Sequence, residues 1–459
     1  GESFLLVLLS VLIAVPLLVW AMPLLNRITQ TDIHLSLLTN GNVWILLASI
    51  VLVTGIAAGS YPAFYLSAFQ TIKVIKGNFT NHISATGIRR SLVVFQFVLS
   101  IMLITSIIII YSQLQFIKHK DLGFEQNQQL IFSFHTDDTK NKMTAFESDL
   151  LKLPEVKTAS KTNNFPAAGA YNDWQVYLAG GNLATATDQQ NISSDENIVK
   201  ALGVRLISGR DFHLHDSASV IINETLMKRL GLKRETAPGT RLFTGDDRNY
   251  RIAGVMRDFN YRSLRDVVYP FMFIYDPGRD DINHLIVNIS SSNYQALLGK
   301  MGKIWHKNLP STPFVYTFLD DQVQKQYETE ISMSRIINSF TLMAILISCL
   351  GLFGLATFSA EQRNKEIGVR KVLGASVPGI VRLLSKDFLK LVLIAFLIAT
   401  PISWWAMQQW LQRFAYRVPV SWWMFALAGL LAVFIALFTI SFQAIRAAVA
   451  NPVKSLRSE

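Results

Sequence analysis

Between two long apolar runs lies the stretch EQRNKEIGVRKVLGAS (361–376), where Glu361, Arg363, Lys365, Glu366, Arg370 and Lys371 crowd together. Glu361–Lys365 and Glu366–Arg370 are i,i+4 pairs with the acid on the N-terminal side, the orientation that best supports a helix. Ile367, Val369, Val372 and Leu373 add apolar surface, and Gly374 is a natural helix stop. Ser376, with Pro378 close behind, is a start signal for the next helix. The chemistry on offer is recognition rather than bond making. Arg370 and Lys371 could pair with acids of a partner, and Ile367 and Leu373 could fill an apolar groove. Taken alone, the residues leave two readings open: a docking element for a soluble protein, or an interfacial helix lying on anionic lipid.

Other groups with reactive side chains offer less. His213 and His215 in HLHD would share one face of a strand and could hold a metal, but a surface loop is the simpler reading. The acid pairs Asp280–Asp281 and Asp320–Asp321 read as solvated turns. Cys349, the single cysteine, lies in an apolar run, so no disulfide framework or paired-cysteine metal site can form. No GxxxxGK[ST] loop cradles a phosphate, and neither GxSxG nor HExxH occurs. Any use of ATP therefore needs a separate subunit.

The elements that must position the charged stretch are membrane helices. Of the 459 residues, 51% are hydrophobic and 16% charged, against about 25% charged in soluble domains. Six runs are long enough to span about 30 Å of hydrocarbon as helices: Phe4–Leu25, Val43–Leu66, Ser91–Ile117, Ile336–Ala360, Leu391–Met407 and Trp422–Ile445. The net charge of +11 concentrates in the segments 67–90, 361–390 and the C-terminal tail, which the positive-inside rule places in the cytoplasm. This charge calls for no nucleic-acid partner. The spans carry no ionisable residue at mid-depth, which argues against a proton- or ion-coupled carrier. Pro16 and Pro401 sit mid-span, and Gly351 and Gly354 could let helices approach closely.

Residues 118–332 then lie outside the cytoplasm. SVIIN (219–223) reads as a buried strand, ETLMKRLGL as a helix ended by Gly231, and YRIAGVM (250–256) as another strand. The expected fold is a polytopic α-helical membrane protein with a large mixed α/β extracytoplasmic domain in two lobes. Its entry and exit read as helices continuous with their spans. VLIAVPLLVWAM (11–22) aligns without gaps with FLIATPISWWAM (396–407), and Ser60, Ala63, Lys73 and Lys76 pair with Ser441, Ala444, Lys454 and Arg457. Spans one and two thus repeat spans five and six. The chain has no initiator Met and reads as the later part of a duplicated protein of eight spans. Its first run, without a basic region or cleavage site, is not a signal peptide.

RNKEIGVRKVLGAS resembles the signature of the MacB/FtsX-type ABC transporter permeases. SVIINETLMKRLGL, PGTRL and RIAGVMRDFNYRSLRDVVYPFMFIY resemble their periplasmic core domain. The resemblance implies residues 1–90 as the last two spans of a first unit with a cytoplasmic linker, 91–117 as span and stalk, and 118–332 as the external core. It implies 333–459 as a three-helix permease domain with a coupling helix at 361–375. Glu361, Arg363, Lys365, Glu366, Ile367, Gly368, Arg370, Lys371, Leu373 and Gly374 would face an ATPase subunit, with two copies of that subunit expected. The chain itself would hold no cofactor; ATP and Mg would belong to the partner. Membrane lipid, a periplasmic adaptor and a cargo complete the expected partners, in a bacterial inner membrane. The function implied is mechanotransmission: export or release of a lipoprotein, peptide or amphipathic drug. The alternatives are a transmembrane regulator of a cell-wall enzyme or sensor that moves no cargo, and a receptor that needs no ATPase.

Overall fold

The computed structural model describes residues 2–29, 41–67, 85–169, 171–246, 248–362, 369, 370, 373 and 376–449. In chain order come α1 (Glu2–Thr29), α2 (Gly41–Ser67) and α3 (Ala85–His119). There follow β1 (Gln129–Ser133), α4 (Asp137–Leu150), β2 (Val156–Thr162), β3 (Asn172–Leu178), β4 (Thr187–Ser194), α5 (Ile198–Leu202), β5 (Leu206–Gly209), β6 (Ser219–Asn223) and α6 (Glu224–Arg229). Then come β7 (Arg241–Thr244), β8 (Asn249–Met256), β9 (Phe271–Tyr275), β10 (His284–Ile289), α7 (Tyr294–Asn308), β11 (Thr317–Phe318) and α8 (Leu319–Lys325). Three long helices close the chain: α9 (Glu328–Gln362), α10 (Val377–Leu411) and α11 (Trp422–Val449).

Five helices are long and apolar enough to cross a membrane, over Phe4–Pro23, Gly87–His119, Glu328–Ser359, Ser385–Leu411 and Trp422–Ser441; only described residues count here. α2 covers the sixth expected span, with a shorter described apolar stretch, Gly41–Ile56. α3 and α9 each have 35 residues, about 50 Å at 1.5 Å per residue, well beyond the hydrocarbon thickness. The chain forms two units: Gly1–Ser112, Glu330–Gln408 and Pro419–Glu459 make one, and Gln113–Thr329 with Gln409–Val418 the other.

In the first unit, α3, α9, α10 and α11 share a core of Val93, Phe97, Ile101, Leu352, Leu355, Phe388, Val392, Ala395, Ala399, Ala432, Ala436 and Ile440. The alanines let helix backbones approach, which in lipid replaces hydrophobic driving force. Buried Ser100 and Ser348 share a hydrogen bond of 3.0 Å between α3 and α9. One turn away, a Cβ on Gly351 would fall on the Gln96 amide. The expected close approach is therefore real at Gly351. At Gly354 a Cβ would meet nothing within 4 Å. α10 runs unbroken past Pro401 and begins well before its apolar run, carrying Arg382, Lys386 and Lys390 as helix residues. α1 and α2 pack on each other, where a Cβ on Gly55 would stand 2.6 Å from the Phe4 ring.

The second unit is built on one eleven-stranded sheet with two parts, joined where Thr162 of β2 pairs with Ser194 of β4. In one, β11, β1, β10 and β2 form an antiparallel sheet. α4 and α7 cover it through Phe132, Phe134, Phe146, Met301 and Trp305; Phe146 and Trp305 meet edge to face at 5.0 Å. In the other lobe, β4 pairs with both β3 and β9, and the order β3-β7-β8-β6-β9 returns to β4. The strands thus close into a ring, which leaves no free edge among them. SVIIN and FMFIY are buried throughout because both faces are covered. Met272 and Ile274 join one core and Phe271, Phe273 and Tyr275 another. Asp320 and Asp321 are not in a turn: they occupy the first turn of α8, where the helix N-terminus favours acids.

Candidate functional site

At the cytoplasmic end of the bundle, α9 carries Glu361 as an exposed helical residue, and α10 starts at Val377. Between them, Val369 and Arg370 are helical and exposed, and the Leu373 N–H donates to the Val369 carbonyl at 3.0 Å. Leu373 is 80% exposed, so this apolar side chain is offered to something other than the chain's own core. Arg363, Lys365, Glu366, Ile367, Gly368, Lys371 and Gly374 lie outside the described residues. Beside the ends of α9 and α10 is a small cleft whose lining includes Arg90, Leu355, Phe358, Gln362, Asp387 and Phe388. The Arg89 guanidinium lies 4.3 Å from the centre of the Phe358 ring. In the sequence, Arg89 and Arg90 carried only a topology signal. Their position beside Phe358 and Asp387 rests on contacts between helices far apart in the chain.

The outer end is built differently, within the second unit. The link 412–421 between α10 and α11 is not a free loop. Ala415 N–H donates to the Arg265 carbonyl at 3.0 Å and Tyr416 N–H to the Leu264 carbonyl at 3.2 Å, tying two irregular segments together through their backbones. Gln113 of α3 is fully buried and holds the link from the other side. Its Nε2 donates to the Tyr416 carbonyl at 3.0 Å, and its Oε1 accepts from Val418 N–H at 2.9 Å. Phe414, 2% exposed, enters the core with Phe259, Tyr261 and Leu264. Leu264 N–H in turn donates to the Tyr327 hydroxyl at 2.8 Å, just before α9 begins. Residues from α3, from the approach to α9 and from the α10–α11 link thus meet on one segment of the domain. We call this junction the clasp. The sequence reading missed Gln113, Tyr327 and Phe414; the one available signal was an amide, Gln113, at the end of an otherwise apolar span.

Deeper in this unit, several buried polar groups are hydrogen-bonded, while both amide atoms of Gln189 and Asn191 Oδ1 are buried without a partner. Asp195 accepts from Ser160 Oγ and Lys161 N–H, both at 2.7 Å, and from Asn197 N–H at 3.0 Å; burial raises its pKa despite these bonds. Burial also raises Glu147, which the Lys161 ammonium 3.4 Å away counters. Tyr261 donates to Gln190 Oε1 at 3.0 Å, and burial raises its phenol pKa strongly. Burial, with the charge of His135, holds His284 down at about 4. The His284 Nδ1 and Ser133 Oγ lie 3.0 Å apart in a hydrogen bond across β10 and β1. Among the described residues, no three metal-ligating side chains gather. His213 and His215 sit in a surface loop, where His213 N–H donates to Asp216 at 2.9 Å.

Fold and site define a polytopic membrane protein in which a folded two-lobed domain is inserted between the first and second helices of a four-helix bundle. Two family models match it: the MacB-like periplasmic core domain over residues 93–300, and the FtsX-like permease C-terminal region over residues 338–452. The chain belongs to the MacB/FtsX-type permeases, inner-membrane proteins with several spans and a domain outside the cytoplasm. No curated protein matches it. Solved structures similar to part of this chain include the following three. A domain of a putative permease from Porphyromonas gingivalis is 17% identical, with TM-score 0.30, covering 42% of this chain and 93% of that one. The periplasmic region of MacB from Actinobacillus actinomycetemcomitans is 14% identical, with TM-score 0.31, covering 45% and 96%. The extracellular domain of the noncanonic ABC-type transporter YknZ from Gram-positive bacteria is 15% identical, with TM-score 0.29, covering 41% and 97%.

Proposed function

We propose that this permease is driven by a separate ATPase subunit and works by mechanotransmission, exporting or releasing a lipoprotein, a peptide or an amphipathic drug at the outer face. One of two ATPase copies docks on residues 361–375, with Glu366, Arg370 and Lys371 supplying ion pairs and Ile367 and Leu373 the apolar contact. Closure of the ATPases pushes on this segment. The movement passes along α3 and α9 to the outer domain, which hands cargo onward or to an adaptor. The clasp is the observation that carries this reading. A neutral amide and paired backbone groups hold the chain between α10 and α11 to the same segment that Tyr327 holds, so that three helices meet one body. The exposed Leu373 and Arg370 support the docking surface.

The test is a pull-down of the intact tagged protein from its own membranes, as wild type and as Arg370→Glu. An ATPase retained by the wild type and lost by the variant is the expected result. No ATPase with either form, under conditions that keep other membrane complexes whole, would refute the proposal.

A further inference from the structure

β7 and β8 form a hairpin whose two faces differ. Leu242, Tyr250 and Ile252 turn into the core of the closed ring. Alternation puts Arg241, Phe243, Asn249 and Arg251 on the opposite face, where Arg241, Asn249 and Arg251 are exposed. Arg241 stands directly across from Arg251. Ile252 N–H donates to the Thr240 carbonyl at 2.9 Å and Thr244 N–H to the Arg248 carbonyl at 3.0 Å, so the even-numbered residues along β7 carry its hydrogen bonds to β8. Arg241–Arg251 is therefore a non-hydrogen-bonded pair, with Cα atoms about 4.5 Å apart, the closest approach that an antiparallel ladder allows.

Like charges in that position repel and destabilise the sheet. Among the described residues, neither guanidinium makes an ion pair that would offset this. Arg210, in the groove beside Arg251, is by contrast neutralised by Asp216 through two contacts of 2.7 and 2.8 Å. The described lining of that groove, with Gly209, Ser219, Pro238 and Gly239, holds no carboxylate. Next to Arg241 on the same face, Phe243 stacks on Tyr177 of β3, ring centres 6.0 Å apart, and both rings are half-buried. An arginine pair beside an aromatic stack on an exposed strand face has the composition of a protein interface.

We infer that this face docks an acidic segment of a protein partner. Its carboxylates are taken by Arg241 and Arg251, and its apolar side chains lie on Phe243 and Tyr177. Each guanidinium can fork onto one carboxylate, and pairing turns the repulsion between the two arginines into attraction for the partner. A small anion would use only the arginines and leave the aromatic rings idle. The whole surface lies within the second unit and needs no ATPase, so it can fail while the docking proposed above stands, and the reverse.

The test uses the full chain in a neutral detergent and a fluorescein-tagged peptide of alternating Glu and Leu, followed by fluorescence anisotropy. Arg241→Gln/Arg251→Gln should bind it at least about tenfold more weakly, because two charge-assisted contacts are lost. The same variant should keep the wild-type thermal midpoint, since it removes a repulsion. Lys142→Gln/Lys157→Gln removes as much charge from exposed positions on α4 and β2 and should bind within about twofold of wild type, charge away from the contact being screened by salt. The uncharged peptide, with Gln for Glu, should not be retained. Equal binding by the double arginine variant, an equal loss in the lysine control, or a lowered midpoint, which would mean that the arginines already have partners in the fold, would overturn the assignment. So would displacement of the peptide by inorganic phosphate at a concentration matched to the peptide's carboxylates, since the face would then be a small-anion site. Dimers of the chain that form without peptide and are lost in the double arginine variant would overturn it too, the occupant then being a second copy.

Discussion

Replacing Gln113 by Leu tests the clasp directly. Leucine nearly matches the volume but removes both hydrogen bonds, leaving the Tyr416 carbonyl and the Val418 N–H without a partner. A buried polar group deprived of its partner costs about 1–3 kcal/mol. Tyr416 and Val418 are half-buried, so water can reach them in part and the low end applies, about 2 kcal/mol for the two together. If the link opens locally before the unit unfolds, that change raises the open population roughly thirtyfold. Native-state hydrogen exchange of the Val418 amide should accelerate by that order, and those of Ala415 and Tyr416, which pair with Arg265 and Leu264, should follow. Amides of α7, in the other lobe, should not move. Val418 exchange within about twofold of wild type would refute the reasoning, because the Gln113 bonds would then hold nothing.

Three further outcomes follow from local geometry. Gly123→Ala should destabilise the outer unit by about 2 kcal/mol or more, since φ is +85° and the new Cβ would stand 2.9 Å from Phe259 Cβ and 3.0 Å from the Asp258 carbonyl oxygen; an unchanged thermal midpoint would count against it. Gly351→Ala should cost under about 1 kcal/mol, because its obstacle is the swinging end of Gln96 and alanine is the better helix former. Gly351→Leu should impair assembly of the bundle, as read by protease resistance in detergent. His284 is neutral in the fold down to about pH 4 and titrates near 6.5 when unfolded, so the unfolded state binds more protons between these values and stability falls as pH drops through that window, by a few kcal/mol at most. Asp195 and Glu147, with raised pKa values, act in the opposite sense. The histidine effect is therefore the difference between wild type and His284→Gln, which should vanish above about pH 7.

Elements with a local signal were legible in the sequence. SVIIN, YRIAGVM and the helix ending at Gly231, where φ is +70°, needed only periodicity and a glycine. The family motif was legible for the same reason. The ring closure was not. β4 reads TDQQNISS, polar almost throughout, yet it is buried from Gln189 onward. Its place is fixed by distant partners: Tyr261 donating to Gln190, and Arg279 donating to Ser193 Oγ at 3.2 Å. No window of sequence contains those pairs. The clasp was hidden likewise. LQRFAYRVPV shows two arginines and a proline and reads as an exposed link, while the Leu264–Arg265 backbone that it pairs with lies far away in the chain.

The contrast between the two sites bears on what each can do. The proposed docking stretch is short and rich in charge, and those of its residues that are described are exposed. Exposed ion pairs contribute little to stability, typically 0.2–1 kcal/mol, but they set specificity and can form and break rapidly. The clasp is the reverse: a buried amide, paired backbone groups and a buried phenylalanine. Opening it would expose Phe414 and orphan several polar groups at once. In the proposed mechanism, a joint of that kind would stay closed through many cycles and pass displacement without slack. A surface that must engage a partner with every cycle could not be built that way. Under the proposed function, the chemistry of the two sites suits reversible recognition at Glu361–Gly374 and lasting attachment at Gln113, Phe414 and Tyr416. A disulfide between Cys substitutions at Gln113 and Val418 should accordingly leave transport intact, whereas transport lost on oxidation and regained on reduction would show that the clasp opens during the cycle.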